Sequence, residues 1–219
     1  MRVLVTLLLV LAIAGGGGYW YWIRTPQYSL EQVKAAIKAH DLEKFNKYVD
    51  VDGTSTRMVD DFFTKPMRDA LGPSILGQVL VTGLASFLRP QIARGIKHEI
   101  LTFVETGQFR PENSADQDPP PGGISLSGMD LHLGFRAHAL KSVTSVQTDG
   151  DLAQLELLLH NTLYNEDLPL DVKMRKMDGY WQIIELTNFP SFCGKLAALE
   201  AQHQTGGDNA EQPAKTNGI

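Results

Sequence analysis

Leu30, Val33 and Ile37 fall on one face of a 3.6-residue period, and Leu42, Phe45, Tyr48 and Val49 repeat that spacing a few residues later. The pattern predicts two short amphipathic helices meeting at a corner. Pro26 stops any helix before it, Ser29 and Gln32 read as a capping box, and Asp41 reads as the N-cap of the second helix. Helices of about ten residues do not stand alone in water. Their apolar faces therefore need a partner further along the chain. Met58, Val59, Phe62 and Phe63 predict a third helix, capped by Thr54 or Ser55 and kinked or ended by Pro66.

Pro73 opens an apolar run, Ile75 to Leu88, in which Gln78, Thr82 and Ser86 form one narrow polar stripe. Its 14 residues are too few to cross a bilayer, so a buried helix is expected. Pro90 is expected to start a further helix, with Ile92, Ile96, Ile100 and Val104 on one side and Arg94, Lys97 and Glu99 largely on the other. Residues 110–128, rich in proline and glycine, read as a flexible loop. From Met129 the period becomes strand-like, and Asp149-Gly150 and Asp178-Gly179 are hairpin signals. Strands are expected near 129–138, 141–148, 152–164, 169–177 and 180–188, followed by a helix after Pro190 and a polar, disordered tail at 204–219. Helices first, then an antiparallel meander, give an α+β class. The expected organisation is a membrane segment (1–24), a helical half (25–109), the loop, a sheet half with a terminal helix (129–203), and the tail.

The membrane segment comes from the one long stretch without charge. Val3 to Ile23 spans 21 residues between Arg2 and Arg24, about 30 Å as a helix. Tyr19, Trp20, Tyr21 and Trp22 stand at its far end, where aromatic rings favour the membrane interface. A cleaved signal peptide is the rival, with Ala12-Ile13-Ala14 as its cleavage site. The aromatic end favours an uncleaved anchor, since a discarded peptide has no use for one. Either way the remainder is exported. Residues 3–23 are therefore expected to cross a membrane once, with the C-terminal domain on the exported side.

Composition narrows the chemistry. The net charge of −5 and the absence of a basic run argue against nucleic acid as a partner. Cys193 is the single cysteine, which removes internal disulfides and cysteine-rich metal sites. Asp50-Val51-Asp52-Gly53 lacks the third ligand that an EF-hand loop needs before its glycine, and reads as a turn into a helix. His98-Glu99 has no second histidine at zincin spacing. His132 and His138 share strand parity but lie six residues apart, and Gly15 to Gly18 lack the strand-to-helix setting of a phosphate loop.

The corner can then be placed. A short helix followed by Ala36-Ile37-Lys38-Ala39-His40-Asp41 and Phe45 resembles the start of nuclear-transport-factor-2-like domains. The stretch Lys176-Met177-Asp178-Gly179-Tyr180-Trp181-Gln182-Ile183 resembles their closing hairpin. More closely, Tyr19-Trp20-Tyr21-Trp22, Pro26, Tyr28-Ser29-Leu30, Ala36 to Ala39, Asp41 and Tyr48-Val49-Asp50 resemble a bacterial family of unknown function with an N-terminal membrane segment and an exported domain. The resemblance covers residues 1 to about 52 and implies a cone in which helices close one side of a curved antiparallel sheet. It brings no activity with it.

An enzyme of that fold would place a carboxylate or histidine inside the cone, and Asp130, His132, His160, Asp171 and Glu185 are the strand residues able to serve. Alternation puts them outside at least as readily. No cofactor or metal site is expected, and the chain reads as a membrane-tethered, non-enzymatic binding or assembly module with a protein or lipid partner. An apolar-ligand or lipid pocket between the sheet and helix 75–88 is the alternative, lined by Val79, Leu80, Leu84, Phe87, Trp181 and Ile183.

Overall fold

The structure, a computed structural model, describes the backbone of residues 15–64, 75–108 and 138–207; side chains at 62–64, 75–85, 138, 200 and 204–207 lie outside the description. After a helical stretch at 15–22, the chain forms α1 (Pro26–Ala39), α2 (Leu42–Tyr48), α3 (Val51–Thr64) and α4 (Ile75–Thr106). The sheet follows as β1 (His138–Asp149), β2 (Leu152–Asn161), β3 (Glu166–Lys176) and β4 (Trp181–Leu186), and α5 (Phe189–Gly207) comes last. The four strands pair antiparallel in sequence order, so the class is α+β.

The predicted corner is present, but it begins four residues before the expected start. Thr25, not Ser29, is the N-cap of α1: its Oγ1 accepts from Tyr28 N (3.2 Å) and donates to Trp22 O (2.8 Å). Pro26 takes the first helical position, where a missing N–H costs nothing. Ser29 is thereby moved into the helix body, fully buried, and its Oγ accepts from Trp181 N at 2.9 Å. At the other end His40 adopts a left-handed conformation (φ 56°) and turns the chain, and Asp41 caps α2 through Lys44 N (2.9 Å), as its sequence position predicts.

The cap expected at Thr54 or Ser55 is also displaced. Asp50 holds the start of α3, its Oδ1 accepting from Gly53 N at 3.0 Å, and Thr54 and Ser55 lie buried a turn further on. The helix break expected at Pro90 does not occur. α4 runs through Pro90 as one 32-residue helix. A proline inside a helix costs about 3 kcal/mol, and packing of α4 along α3 with Ile92 and Val104 buried outweighs it.

Among the described residues there are four strands; of the strand expected at 129–138 only His138 is described. The expected strands at 129–138 and 141–148 meet in β1, which starts at His138 and runs unbroken through 139–141. Its apolar residues Leu140, Val143 and Val146 stand three apart, which alternation cannot place on one face. Register shifts between Leu140 and Ser142 and between Val143 and Ser145 insert a residue at each step, so all three pack against the core. Gly150 (φ 57°) and Gly179 (φ 83°) make the two predicted hairpin turns. The β2–β3 turn had no glycine signal; Asn161 builds it by accepting from Leu163 N (2.9 Å) and Tyr164 N (3.0 Å) on a buried Oδ1.

One face of the sheet forms the core. Ala153, Leu155, Leu157, Leu168, Leu170, Val172 and Met174 meet Leu30, Val33 and Ala36 of α1, Phe45 and Tyr48 of α2, Val104 of α4, and Phe192 and Leu196 of α5. α5 begins one residue before Pro190 and continues through Gly207, four residues into the stretch expected to be tail. Past the short β4, the Asn188 side chain extends the ladder: its Oδ1 accepts from Asp171 N (2.8 Å) and its Nδ2 donates to Pro169 O (3.2 Å).

Candidate functional site

Of the residues expected to line a pocket, the three that are described do not gather into one. Trp181 and Ile183 are 4% and 8% exposed and belong to the packed core. Trp181 lies against the start of α1, its N–H bonded to Ser29 and its Nε1 to Arg24 O at 2.8 Å. Ile183 bridges to Val49 beyond α2. Phe87 is 65% exposed on α4. The side chains of Val79, Leu80 and Leu84 lie outside the described residues.

The candidate general bases separate from the core as well. His160, Asp171 and Glu185 alternate with buried neighbours and occupy the opposite face of the sheet; Asp130 and His132 are not described. On that face Asp167 accepts from Lys141 Nζ (2.5 Å) and pairs with His160 Nδ1 (2.8 Å). Those two bonds, the Lys141 bond first, hold the Asp167 carboxyl below the usual aspartate range. Asp171 is shifted the other way, by partial burial and then by Glu156 directly across from it on β2. Burial pushes the Cys193 thiol up to about 12, which leaves it unreactive.

Two features remain that the fold does not use up. The first is the collar formed by Tyr19, Trp20, Tyr21 and Trp22, which are 65%, 55%, 72% and 49% exposed. The Arg24 guanidinium sits 3.8 Å over the Trp20 ring, a cation–π contact. The same residue's carbonyl receives the Trp181 indole N–H, so the collar is fastened directly to β4.

The second is a groove of about 480 Å³ between α3 and α4, lined by Asp52, Ser55, Thr56, Val59 and Asp60 on one side and Arg89, Pro90, Ala93, Arg94 and Lys97 on the other. Asp52 pairs with Lys97 (2.6 Å) and Asp60 with Arg89 (3.5 Å), which makes the helices antiparallel and sets a post at each end of the groove. Eight residues, about 12 Å of helix, separate the posts. The small side chains of Ser55, Thr56 and Ala93 lie between them and leave the space open. Ser55 is 1% exposed, and among the described residues its hydroxyl has no hydrogen-bond partner, a deficit typically costing about 1–3 kcal/mol. Charges at positions 52, 60, 89 and 97 were visible in the sequence; their pairing was not, because it needs α4 to continue through Pro90.

Among the described residues, no helix is long and apolar enough to cross a membrane, and no group of histidine, cysteine and acidic side chains could hold a metal ion. No family model, curated protein or solved structure matches the chain.

Proposed function

We propose that the chain is a membrane-tethered, exported binding or assembly module: the charge-free run Val3–Ile23 is an uncleaved anchor in a bacterial inner membrane, and the α+β domain stands in the periplasm beside it. The observation that carries this reading is the aromatic collar. Four consecutive aromatic side chains, each about half exposed or more, are unfavourable in water but suited to a lipid headgroup layer, where an apolar ring and a polar edge are both satisfied. Residues 3–14 are not described, and their lack of charge supports the span from sequence alone. The Trp181–Arg24 bond adds that the domain hangs close to the surface rather than on a loose tether. The cone-like arrangement implied by the resemblance agrees with helices covering one sheet face. A binding role is preferred to an enzymatic one because His160, Asp171 and Glu185 occupy the face away from the core.

The test is extraction of membranes from cells expressing the full chain. The protein is expected to stay in the pellet through a carbonate wash, with peptides from Val3–Ile23 present by mass spectrometry. Release into the supernatant, or a mature chain starting at Gly15, overturns the reading.

A further inference from the structure

We propose that the groove between α3 and α4 binds a phosphate-bearing group, with Arg94 and Lys97 holding the oxyanion. The proposal takes only its membrane setting from the tethered-module reading. Three cations and two carboxylates line the groove, a net positive balance on a chain whose overall charge is −5. Arg94 is exposed; its Nε donates to Pro90 O (3.2 Å), and among the described residues it meets no carboxylate. The outer nitrogens of its guanidinium form the planar fork that suits a phosphate.

Lys97 lies one turn along the same helix. Its partner Asp52 is 76% exposed, and an exposed pair of this kind is held weakly. An oxyanion seated between Arg94 and Lys97 can replace water and the Asp52 carboxylate around the ammonium at little cost. The groove's volume of about 480 Å³ exceeds what a bare phosphate fills, and Val59, Pro90 and Ala93 offer apolar surface to a substituent. The ligand is therefore a phosphate ester, either a small soluble one or the headgroup of an anionic lipid.

The experiment uses the full chain with carbon-labelled alanine methyls and follows Ala93 by NMR. Glycerol phosphate is titrated into the detergent-solubilised protein, and separately the protein is placed in nanodiscs of phosphatidylcholine with and without phosphatidylglycerol. A saturable Ala93 shift with glycerol phosphate identifies a soluble ester; a shift only with phosphatidylglycerol identifies a lipid headgroup. Either supports the site, provided that Arg94→Ala weakens binding about tenfold or more. Arg94 is exposed, so the variant should keep its melting temperature, which is measured alongside. No saturable shift with either probe, or a shift that Arg94→Ala leaves unchanged, overturns the proposal. Neither result alters the carbonate extraction, so the groove and the anchor fail separately.

Discussion

Ser29 shows how one residue changes meaning between sequence and fold. Its place before Gln32 suggested a cap, yet Pro26 is tolerated at a first helical position, so the helix starts earlier and Ser29 turns inward to Trp181 N. Ser29→Ala leaves that buried N–H unpaired and should cost about 1–3 kcal/mol, read from the urea midpoint. An unchanged midpoint would remove the bond from the account. Gly107 ends α4 at φ 71°, and a Cβ there would come within 2.7 Å of His40 Cε1. His40 Nδ1 bonds Val104 O at 2.9 Å, and since a carbonyl only accepts, that nitrogen carries the proton. Gly107→Ala should therefore lose roughly 1–2 kcal/mol from the left-handed backbone, with the His40 contact adding to it.

Asp171 gives a pH prediction. Partial burial and Glu156 raise its folded pKa above the unfolded value, so its charge opposes folding at neutral pH and that penalty disappears as the group protonates. Asp171→Asn should stabilise at pH 7 by a few tenths to about 1 kcal/mol, and the gain should vanish below the ordinary aspartate value of 3.8. Asp167 has the opposite sign: its lowered pKa contributes stability above the unfolded value that is lost as pH falls through the folded one. A gain for Asp171→Asn that persisted in acid would contradict the assignment.

At the scale of elements, the start of α3 decides between two effects of similar size. Alanine in place of a helical glycine normally gains about 1 kcal/mol. At Gly53, however, a Cβ would run into the Asp50 carboxylate that caps the helix and approach Arg57 Nη1 at 2.9 Å. Asp50 must swing away, and losing a cap costs about 1 kcal/mol. Gly53→Ala alone should thus leave stability nearly unchanged, whereas in an Asp50→Ala background it should gain about 1 kcal/mol. Equal gains in both backgrounds would show that Asp50 and Gly53 are not coupled.

The elements also show what periodicity can and cannot convey. The corner at His40–Asp41 and the two Asp-Gly hairpins were readable because each depends on near neighbours. The single strand β1 was not, because its two irregularities stretch the apolar spacing from two to three. Continuity of α4 was hidden for a different reason. Proline's local cost is fixed by sequence, while the packing on α3 that offsets it is tertiary.

For the whole molecule, the class and the meander order follow from helices preceding turn-punctuated strands, but the candidate sites did not follow. The predicted apolar pocket drew on residues that the structure disperses between core and solvent: Trp181 and Ile183 inside, Phe87 outside. The groove between α3 and α4 escaped the sequence reading because it depends on the antiparallel packing of two helices, which is tertiary. Its recoverable signal was acidic residues at 52 and 60 facing basic ones at 89 and 97 with matching separation. The collar was legible at once, since consecutive aromatics after a charge-free run require no tertiary information.

That collar also offers the most direct measurement. The chain has three tryptophans: Trp20 and Trp22 are about half exposed in the collar, and Trp181 is 4% exposed in the core. In vesicles whose lipids carry bromine near the headgroup end of the acyl chain, tryptophan fluorescence should be quenched strongly relative to unbrominated lipid. The Trp20→Phe, Trp22→Phe double variant should lose most of that quenching, since only the buried Trp181 remains. Equal fluorescence of the unmodified chain in brominated and unbrominated vesicles would contradict the account, because it would place the collar away from the membrane.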